Sequence, residues 1–398
     1  MQRECPTAGV ITHPRNPVLS LILCSRNDQY MGNSRWRLET ALNYVARNVQ
    51  ELGREADVEV LVADWGSEIP LRDVLQLSPA AARIVSFLLI PPEIACPLQG
   101  DSAFPEVLAL NAAARRVRGD YIGRIDQDTL VGGRFLDSFF ELYEGRRQLE
   151  IPLRSALLFA NRRQIPYRFA VRCPSFGMVE RFVIWFGRWL QVDNHLKHRP
   201  GFFYASYVGM WLLHRDLWNE CRGYDERLIY MNWMETDMIL RMKQEYTVVD
   251  LGQLVGHDFY HLEHYHPRAP KRATGHRKVN PHMDLDNPAN VFRLNSETWG
   301  LLQHPLDVVP YARRSDIQTP SLDGPLLEFP AFVLSLLIIG TQIIWDGSIK
   351  LSIRLFSLFS TWRRRAGIAW KTVRGEPVMR WPRLLIRLWT ERKSTQVV

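Results

Sequence analysis

In Arg124-Ile125-Asp126-Gln127-Asp128-Thr129, two carboxylates stand two residues apart at the end of an apolar run. Hard oxygen ligands in such a pair suit Mg²⁺ or Mn²⁺, and an ion of that kind is usually shared with substrate phosphates. A solvated turn would carry the same residues, so the pair gains meaning only with company. A second acidic group lies in Trp233-Met234-Glu235-Thr236-Asp237, a few residues after Gly223-Tyr224-Asp225-Glu226. Glu235 opens an expected helix beside two large apolar side chains, which push a carboxyl toward the proton affinity of a general base. Acids capping a first turn explain the same placement. The third group is Gly256-His257-Asp258-Phe259-Tyr260-His261-Leu262-Glu263-His264-Tyr265-His266-Pro267, with four histidines in ten residues. Imidazole commonly ligates Mn²⁺ and Zn²⁺.

Positioning such groups calls for a scaffold, and the chain upstream of Asp126 supplies its pattern. Short apolar runs at Val18–Cys24, Val58–Asp64, Arg83–Ile90 and Tyr121–Asp126 alternate with helical periodicity, the signature of βαβ units with helices on both sheet faces. Leu38, Ala41, Leu42, Val45, Val49 and Leu52 make one apolar helix face. Pro105 opens a helix running to Val117, and Phe135, Phe139, Leu142 and Tyr143 mark another. The stretch from Ile151 to Trp299 is less regular; strands are expected at Phe202–His214 and Thr247–Leu251, and a helix at Met234–Lys243. In open α/β sheets ligands bind at the carboxyl ends of strands, which is where Asp126 and Asp128 fall.

The order and spacing of these motifs resemble the family 2 glycosyltransferases and their relatives of the GT-A fold, over roughly Val18 to His266. The matching residues are Leu21-Ile22-Leu23-Cys24-Ser25-Arg26-Asn27-Asp28, the turn Asp64-Trp65-Gly66-Ser67, Leu110-Asn111-Ala112-Ala113, the Asp-x-Asp strand, Gly209-Met210-Trp211-Leu212-Leu213 and the Gly-Tyr-Asp-Glu turn. The resemblance implies an α/β fold with a mostly parallel central sheet. It implies a nucleotide-sugar donor held by Ser25, Arg26, Asp28, Asp64, Asn111, Asp126 and Gly209, Asp126 lying near the ribose, and Mn²⁺ or Mg²⁺ on Asp128. It aligns Glu235 with the family's catalytic Asp and Asp237 with a common helix acid; Glu in place of Asp leaves either as the base. The histidine segment is similar to one in the galactosyltransferase C-terminal module, where a His completes the metal site, so His261 or His264, then His257, are the candidate ligands. On this reading residues 1–17 are a tail, 18–130 the donor half, 131–300 the acceptor and catalytic half, 301–325 a proline-punctuated linker and 326–398 a helical segment.

Composition adds a location. The net charge of the 398 residues is +8, yet residues 346–398 alone hold twelve Lys and Arg against three Asp and Glu, so the rest is near neutral. Phe329–Trp345 is largely apolar but short for a bilayer. Beyond it Leu351, Leu355, Leu358, Phe359 and Trp362 share one helical face and Arg363-Arg364-Arg365 follows, the pattern of an interfacial helix on an anionic leaflet. Helices packed on the catalytic domain or between copies would show the same pattern. Five scattered cysteines and the lack of an apolar leader in the first residues suggest reduced thiols and an enzyme on the cytoplasmic face of a membrane. A glycan or lipid-linked acceptor, and no nucleic acid, is the corresponding expectation; the sequence leaves the oligomeric state open.

Two clusters fit a weaker reading. Arg162, Arg163, Arg168 and Arg172 suit a phosphate clamp or, more simply, a solvated basic face. Trp185, Trp189, Phe202, Phe203, Tyr204, Tyr207 and Trp211 suit a sugar-stacking wall or a core. Among rival functions, a nucleotidyltransferase needs a glycine-rich phosphate loop after the first strand, and Cys24-Ser25-Arg26-Asn27-Asp28 has no glycine. Retention of Asp126, Asp128 and Glu235 argues against a silent scaffold on the same fold.

Overall fold

A computed structural model describes residues 16–190, 192, 210–230, 233–243, 247–264, 278, 280, 294–312, 337 and 340. The chain divides into two compact units, Met1–Glu328 and Phe329–Val398. Gly209, the expected strand before Met210, His266 and nearly all of the C-terminal segment lie outside the described residues. No described helix is long and apolar enough to cross a membrane.

The first unit is a mixed α/β structure around a large sheet. Its strands are β1 (Leu19–Ser25), β2 (Val58–Trp65), β3 (Val85–Ile90), β4 (Tyr121–Ile125), β6 (Ala156–Ala160), β8 (Met210–His214), β9 (Thr247–Asp250) and β11 (Val308–Pro310), in the order β11-β3-β2-β1-β4-β8-β6-β9. Only β8 and β11 run against the rest, so the sheet is mostly parallel, as expected. A parallel sheet must be covered on both faces, and the strand period of two supplies two apolar faces. Leu19, Leu21 and Leu23 enter one core with Leu38, Leu42, Val45 and Phe135. Ile22, Leu61, Trp65 and Leu88 enter the other with Val107, Leu110 and Trp218.

The helix Ser34–Glu51 carries the first apolar face, and Glu106–Ala114 follows Pro105, ending three residues before Val117. Met234–Lys243 is helical as expected. Arg83 and Ile84 belong to a short helix, Pro79–Ile84, rather than to β3: the Ser78 hydroxyl accepts from the Ala81 amide at 3.2 Å and Pro79 takes the first position. Part of the expected linker is ordered as β11, an edge strand against β3. There Tyr311 packs on Phe87 and donates its hydroxyl to the Leu75 carbonyl at 3.0 Å.

A second sheet completes the scaffold. It contains β5 (Thr129–Val131), β7 (Arg163–Ile165) and β10 (Phe259–Leu262) in the order β5-β10-β7. The Asp126-Gln127-Asp128 turn therefore passes from the carboxyl end of β4 in the large sheet directly into the small one.

Candidate active site

Register brings the first and third motifs together. β10 runs antiparallel to β5 with His261 opposite Thr129, and the Leu262 amide donates to the Asp128 carbonyl at 3.1 Å. This places His261 Nε2 3.5 Å from Asp128 Oδ1, and His264 Nδ1 3.1 Å from Asp128 Oδ2. One candidate ligand atom from each of Asp128, His261 and His264 lies within 4.8 Å of the others. His261 Nδ1 meets Gln164 Oε1 at 2.7 Å across the β7–β10 pairing. An Nδ1–H donating to that carbonyl leaves the Nε2 lone pair turned toward Asp128, the usual outer-shell support for a metal-binding imidazole. His261 Nε2 is buried and has no hydrogen-bond partner among the described residues. Two imidazoles and a carboxylate so placed could hold a divalent ion. Burial pushes the Asp128 carboxyl up; when the two imidazoles are instead protonated, their charge and hydrogen bonds outweigh burial and hold the group well below the usual carboxylate range.

His257 lies apart from the other expected ligands. Its φ of 52° precedes the strand, and its ring packs where a Gly252 side chain would be, with a Cβ there only 2.3 Å from Nδ1. It does not join the Asp128, His261 and His264 group.

Asp126 is bound on both oxygens. Arg124 Nη2 lies 2.7 Å from Oδ1, and Arg162 Nη1 lies 2.5 Å from Oδ2. The same Arg124 nitrogen lies 2.5 Å from Glu106 Oε1 and 3.4 Å from Glu235 Oε1, with the arginine side chain only 2% exposed. Arg162 Nη1 is also 3.7 Å from Asp128 Oδ1. The two acidic motifs therefore belong to one network, running Glu235, Arg124, Asp126, Arg162, Asp128. Asp128 Oδ2 receives a further charge-assisted bond, from Arg37 Nη1 at 3.1 Å; Arg37 is fully buried and donates to the Tyr30 carbonyl at 2.7 Å. Burial among these groups raises Glu106 to about 7, Arg124 countering and Asp126 and Glu235 adding to the shift.

The candidate bases differ in surroundings. Glu235 keeps a side chain 20% exposed beside Arg124. Asp237 is fully buried and ion-paired with Arg241 at 2.8 Å, while Arg241 donates to the Cys221 and Gly223 carbonyls at 2.8 Å each. Burial raises Asp237 to about 6, against the pull of Arg241. Its neighbours tie the helix to the Gly-Tyr-Asp-Glu turn, which is a positioning task.

Of the expected donor residues, Ser25, Arg26, Asp28 and Asp64 lie at the carboxyl ends of β1 and β2. The Ser25 hydroxyl donates to Gln127 Oε1 at 2.5 Å, linking β1 to the Asp-x-Asp turn. Arg26 pairs with Asp28 at 2.8 Å and reaches Gln99 at 3.2 Å. Asp64 is buried, accepting from the Ser67 hydroxyl and from the Leu71 amide at 2.7 Å; burial raises it to about 6 despite those bonds. Ser67 Oγ in turn accepts from the Asn27 amide at 2.8 Å, which joins the two loops. Asn111 is fully buried, and its amide bonds the Tyr224 backbone in both directions at 2.8 Å. Gly223, at φ 68°, is required beside it, since a Cβ there would lie 2.3 Å from Asn111 Oδ1. Asn111 therefore positions the turn, and its burial explains why it does not open into the donor loops.

No protein-family model matches this chain, and no curated protein matches it. Similar solved structures include S. aureus TarS 1-349, at 14% identity and a TM-score of 0.37, covering 61% of this chain and 60% of that one. S. aureus TarS has 14% identity and a TM-score of 0.35 over 61% of this chain and 36% of that one. TarS 1-349 in complex with UDP-GlcNAc has 12% identity and a TM-score of 0.35 over 65% and 60%. The chain thus spans about three fifths of the length of the TarS 1-349 fragment. Likeness at this level leaves function to be argued from the site.

Three residues of the network carry no signal in the sequence, and a fourth, Arg162, reads there as a phosphate clamp or a solvated face. Arg37 sits on the apolar face of its helix, Glu106 reads as an ordinary first-turn acid, Arg124 lies inside a strand, and Arg162 belongs to a run that reads as a solvated basic face. The last expectation holds for Arg168 and Arg172, which are exposed. It fails for Arg162, and Arg163 instead donates to the Leu190 and Arg188 carbonyls at 2.7 and 3.0 Å. Of the aromatic wall, Trp211 is buried, Trp185 and Trp189 are exposed, and the remainder lies outside the described residues.

Proposed function

We propose that this chain is a metal-dependent, inverting glycosyltransferase. It moves a sugar from a nucleotide-sugar donor to a hydroxyl of a glycan or lipid-linked acceptor, in cell-surface polysaccharide or glycolipid synthesis on the cytoplasmic face of a membrane. The observation that carries this reading is the continuous network that joins Glu235 to the Asp128, His261 and His264 group through Arg124, Asp126 and Arg162. A single site then has a place for a divalent ion and, alongside it, a carboxylate open to a substrate.

Asp128, His261 and His264 would hold the ion, Mn²⁺ or Mg²⁺, and it would supply positive charge against that of a departing diphosphate. Ser25, Arg26 and Asp28 line the donor side at the end of β1, with Asp126 toward the ribose. Glu235 removes the proton of the acceptor hydroxyl as its oxygen bonds to the anomeric carbon. The bond from that carbon to the diphosphate oxygen breaks in the same step, and the electron pair leaves with the nucleoside diphosphate. One base on the face opposite the leaving group gives inversion. Arg124 keeps Glu235 beside Asp126 and is the residue that fixes the base relative to the donor.

The test is a panel of nucleotide sugars incubated with the full chain and Mn²⁺. Release of a nucleoside diphosphate, abolished by chelation, is the expected result. Release of pyrophosphate would make the chain a nucleotidyltransferase, and release of neither across the panel would make it a binding scaffold.

A further inference from the structure

The Asp126 and Asp128 carboxylates already face a cation of the chain's own. Arg162 Nη1 lies 2.5 Å from Asp126 Oδ2, 3.7 Å from Asp128 Oδ1 and 3.4 Å from the Thr129 hydroxyl, in a side chain only 8% exposed. Arg37 also meets Asp128, but its other nitrogen is bonded to the Tyr30 carbonyl at 2.7 Å inside the helix packing. Arg162 instead projects from the short connection between β6 and β7. A divalent ion entering at Asp128 meets this guanidinium at close range, and like charges in a poorly solvated site repel strongly. A buried guanidinium that loses its carboxylates needs another anion, because an unpaired buried charge is costly. Its planar fork matches the oxygens of a phosphate.

We propose that Arg162 is a resident counter-cation that holds the two carboxylates against a lone divalent ion and transfers to a diphosphate when one arrives, so that ion and diphosphate bind cooperatively. This inference rests on the metal site of the proposed function. Because coupling between two ligands is reciprocal, the same residue raises ion affinity in the presence of diphosphate and diphosphate affinity in the presence of ion. Its consequence is order: the site loads its metal with the donor and not before.

The experiment measures Mn²⁺ binding to the full chain by the electron paramagnetic resonance signal of the free ion. Wild type is compared with Arg162→Gln, Arg162→Met, Arg162→Lys and, as a control for net charge, the exposed Arg168→Met. The two neutral Arg162 variants are expected to bind Mn²⁺ alone about tenfold tighter than wild type, with Arg162→Lys and Arg168→Met close to wild type. UDP, GDP and ADP are then added singly, with their own Mn²⁺ binding subtracted. At least one should tighten Mn²⁺ binding to wild type, and it should do so less for Arg162→Gln. Arg162→Gln keeps hydrogen-bonding capacity toward Asp126, so it serves if Arg162→Met fails to fold. Wild type binding Mn²⁺ as tightly as both neutral variants overturns the inference and leaves the metal site standing. No diphosphate tightening Mn²⁺ binding to wild type overturns the coupling. If no form binds Mn²⁺ with or without diphosphate, the metal site itself falls and the inference with it.

Discussion

The Glu235 carboxylate lies 3.4 Å from the Arg124 guanidinium, on a helix and a strand far apart in the chain. Arg124 also holds Asp126 at 2.7 Å, so the candidate base and the donor-side acid share one rigid, buried cation. Asp237, two residues on, points away into its pair with Arg241. Glu235→Gln is therefore expected to lower turnover by roughly 10²- to 10⁴-fold with little change in donor affinity. Asp237→Ala is expected to cost about 3–5 kcal/mol of stability, since it strands the buried Arg241. Steady-state kinetics with thermal melting separates these effects. A folded Asp237→Asn with lost turnover, beside a near-normal Glu235→Gln, would exchange the two roles.

Asp128 contributes the one carboxylate of the candidate ion group. Asp128→Ala should remove Mn²⁺-dependent donor binding while the protein still folds, and His261→Ala and His264→Ala should each weaken Mn²⁺ binding. Gln164→Ala is expected to weaken it by about 10- to 100-fold through the His261 ring, as outer-shell substitutions do. His257→Ala should leave it unchanged. Calorimetric titration with Mn²⁺ in the presence of the nucleoside diphosphate that tightens its binding checks all five, and equal affinities throughout would return the cluster to ordinary packing.

The C-terminal segment makes a separate prediction, because Leu326 onward lies beyond the described part of the first unit. Deletion from Leu326 is expected to release the protein from anionic liposomes and leave donor hydrolysis largely intact, with weaker transfer to a lipid-linked acceptor. Flotation at low salt tests it: full-length protein that ignores anionic liposomes would remove the anchor. Basic residues near such a leaflet contribute about 1 kcal/mol each, so rising salt should weaken attachment.

Much of the scaffold was legible because long apolar strands and helices repeat their period enough times to be read. β1, β2, β4 and the helices Ser34–Glu51 and Met234–Lys243 fall close to where the pattern put them. β5, β7 and β10, with three, three and four residues, are too short to show a period, so the second sheet was not legible. Asp126, Asp128, Glu235, His261 and His264 stood out by type and spacing. The pairing of the arginines that join them was not legible, because it depends on distant partners. Arg37 and Asp128 are 91 residues apart, and Arg162 and Asp126 are 36 apart. An arginine in a run such as Arg162-Arg163 looks like a surface charge until a fold closes over it.

Glu106 provides a pH test of the network. Its side chain is 38% exposed, yet its surroundings raise it from 4.5 to about 7, chiefly by desolvation, with Arg124 opposing the shift and Asp126 and Glu235 adding to it. A raised carboxyl binds its proton more tightly in the folded than in the unfolded chain. Stability from Glu106 is thus present at acid pH and declines as pH rises from about 4.5 through about 7. Glutamine resembles the protonated acid in shape and charge. Glu106→Gln should therefore track wild type most closely below pH 7 and diverge above it, where wild type gains a negative charge that competes with Glu235 and Asp126 for Arg124. Wild-type stability should fall relative to that of the variant over the same interval. Paired pH profiles of turnover and of denaturation midpoint read both effects. Profiles that stay parallel from pH 5 to pH 9 would show that Glu106 does not titrate in this window and that the network holds its charge by other means.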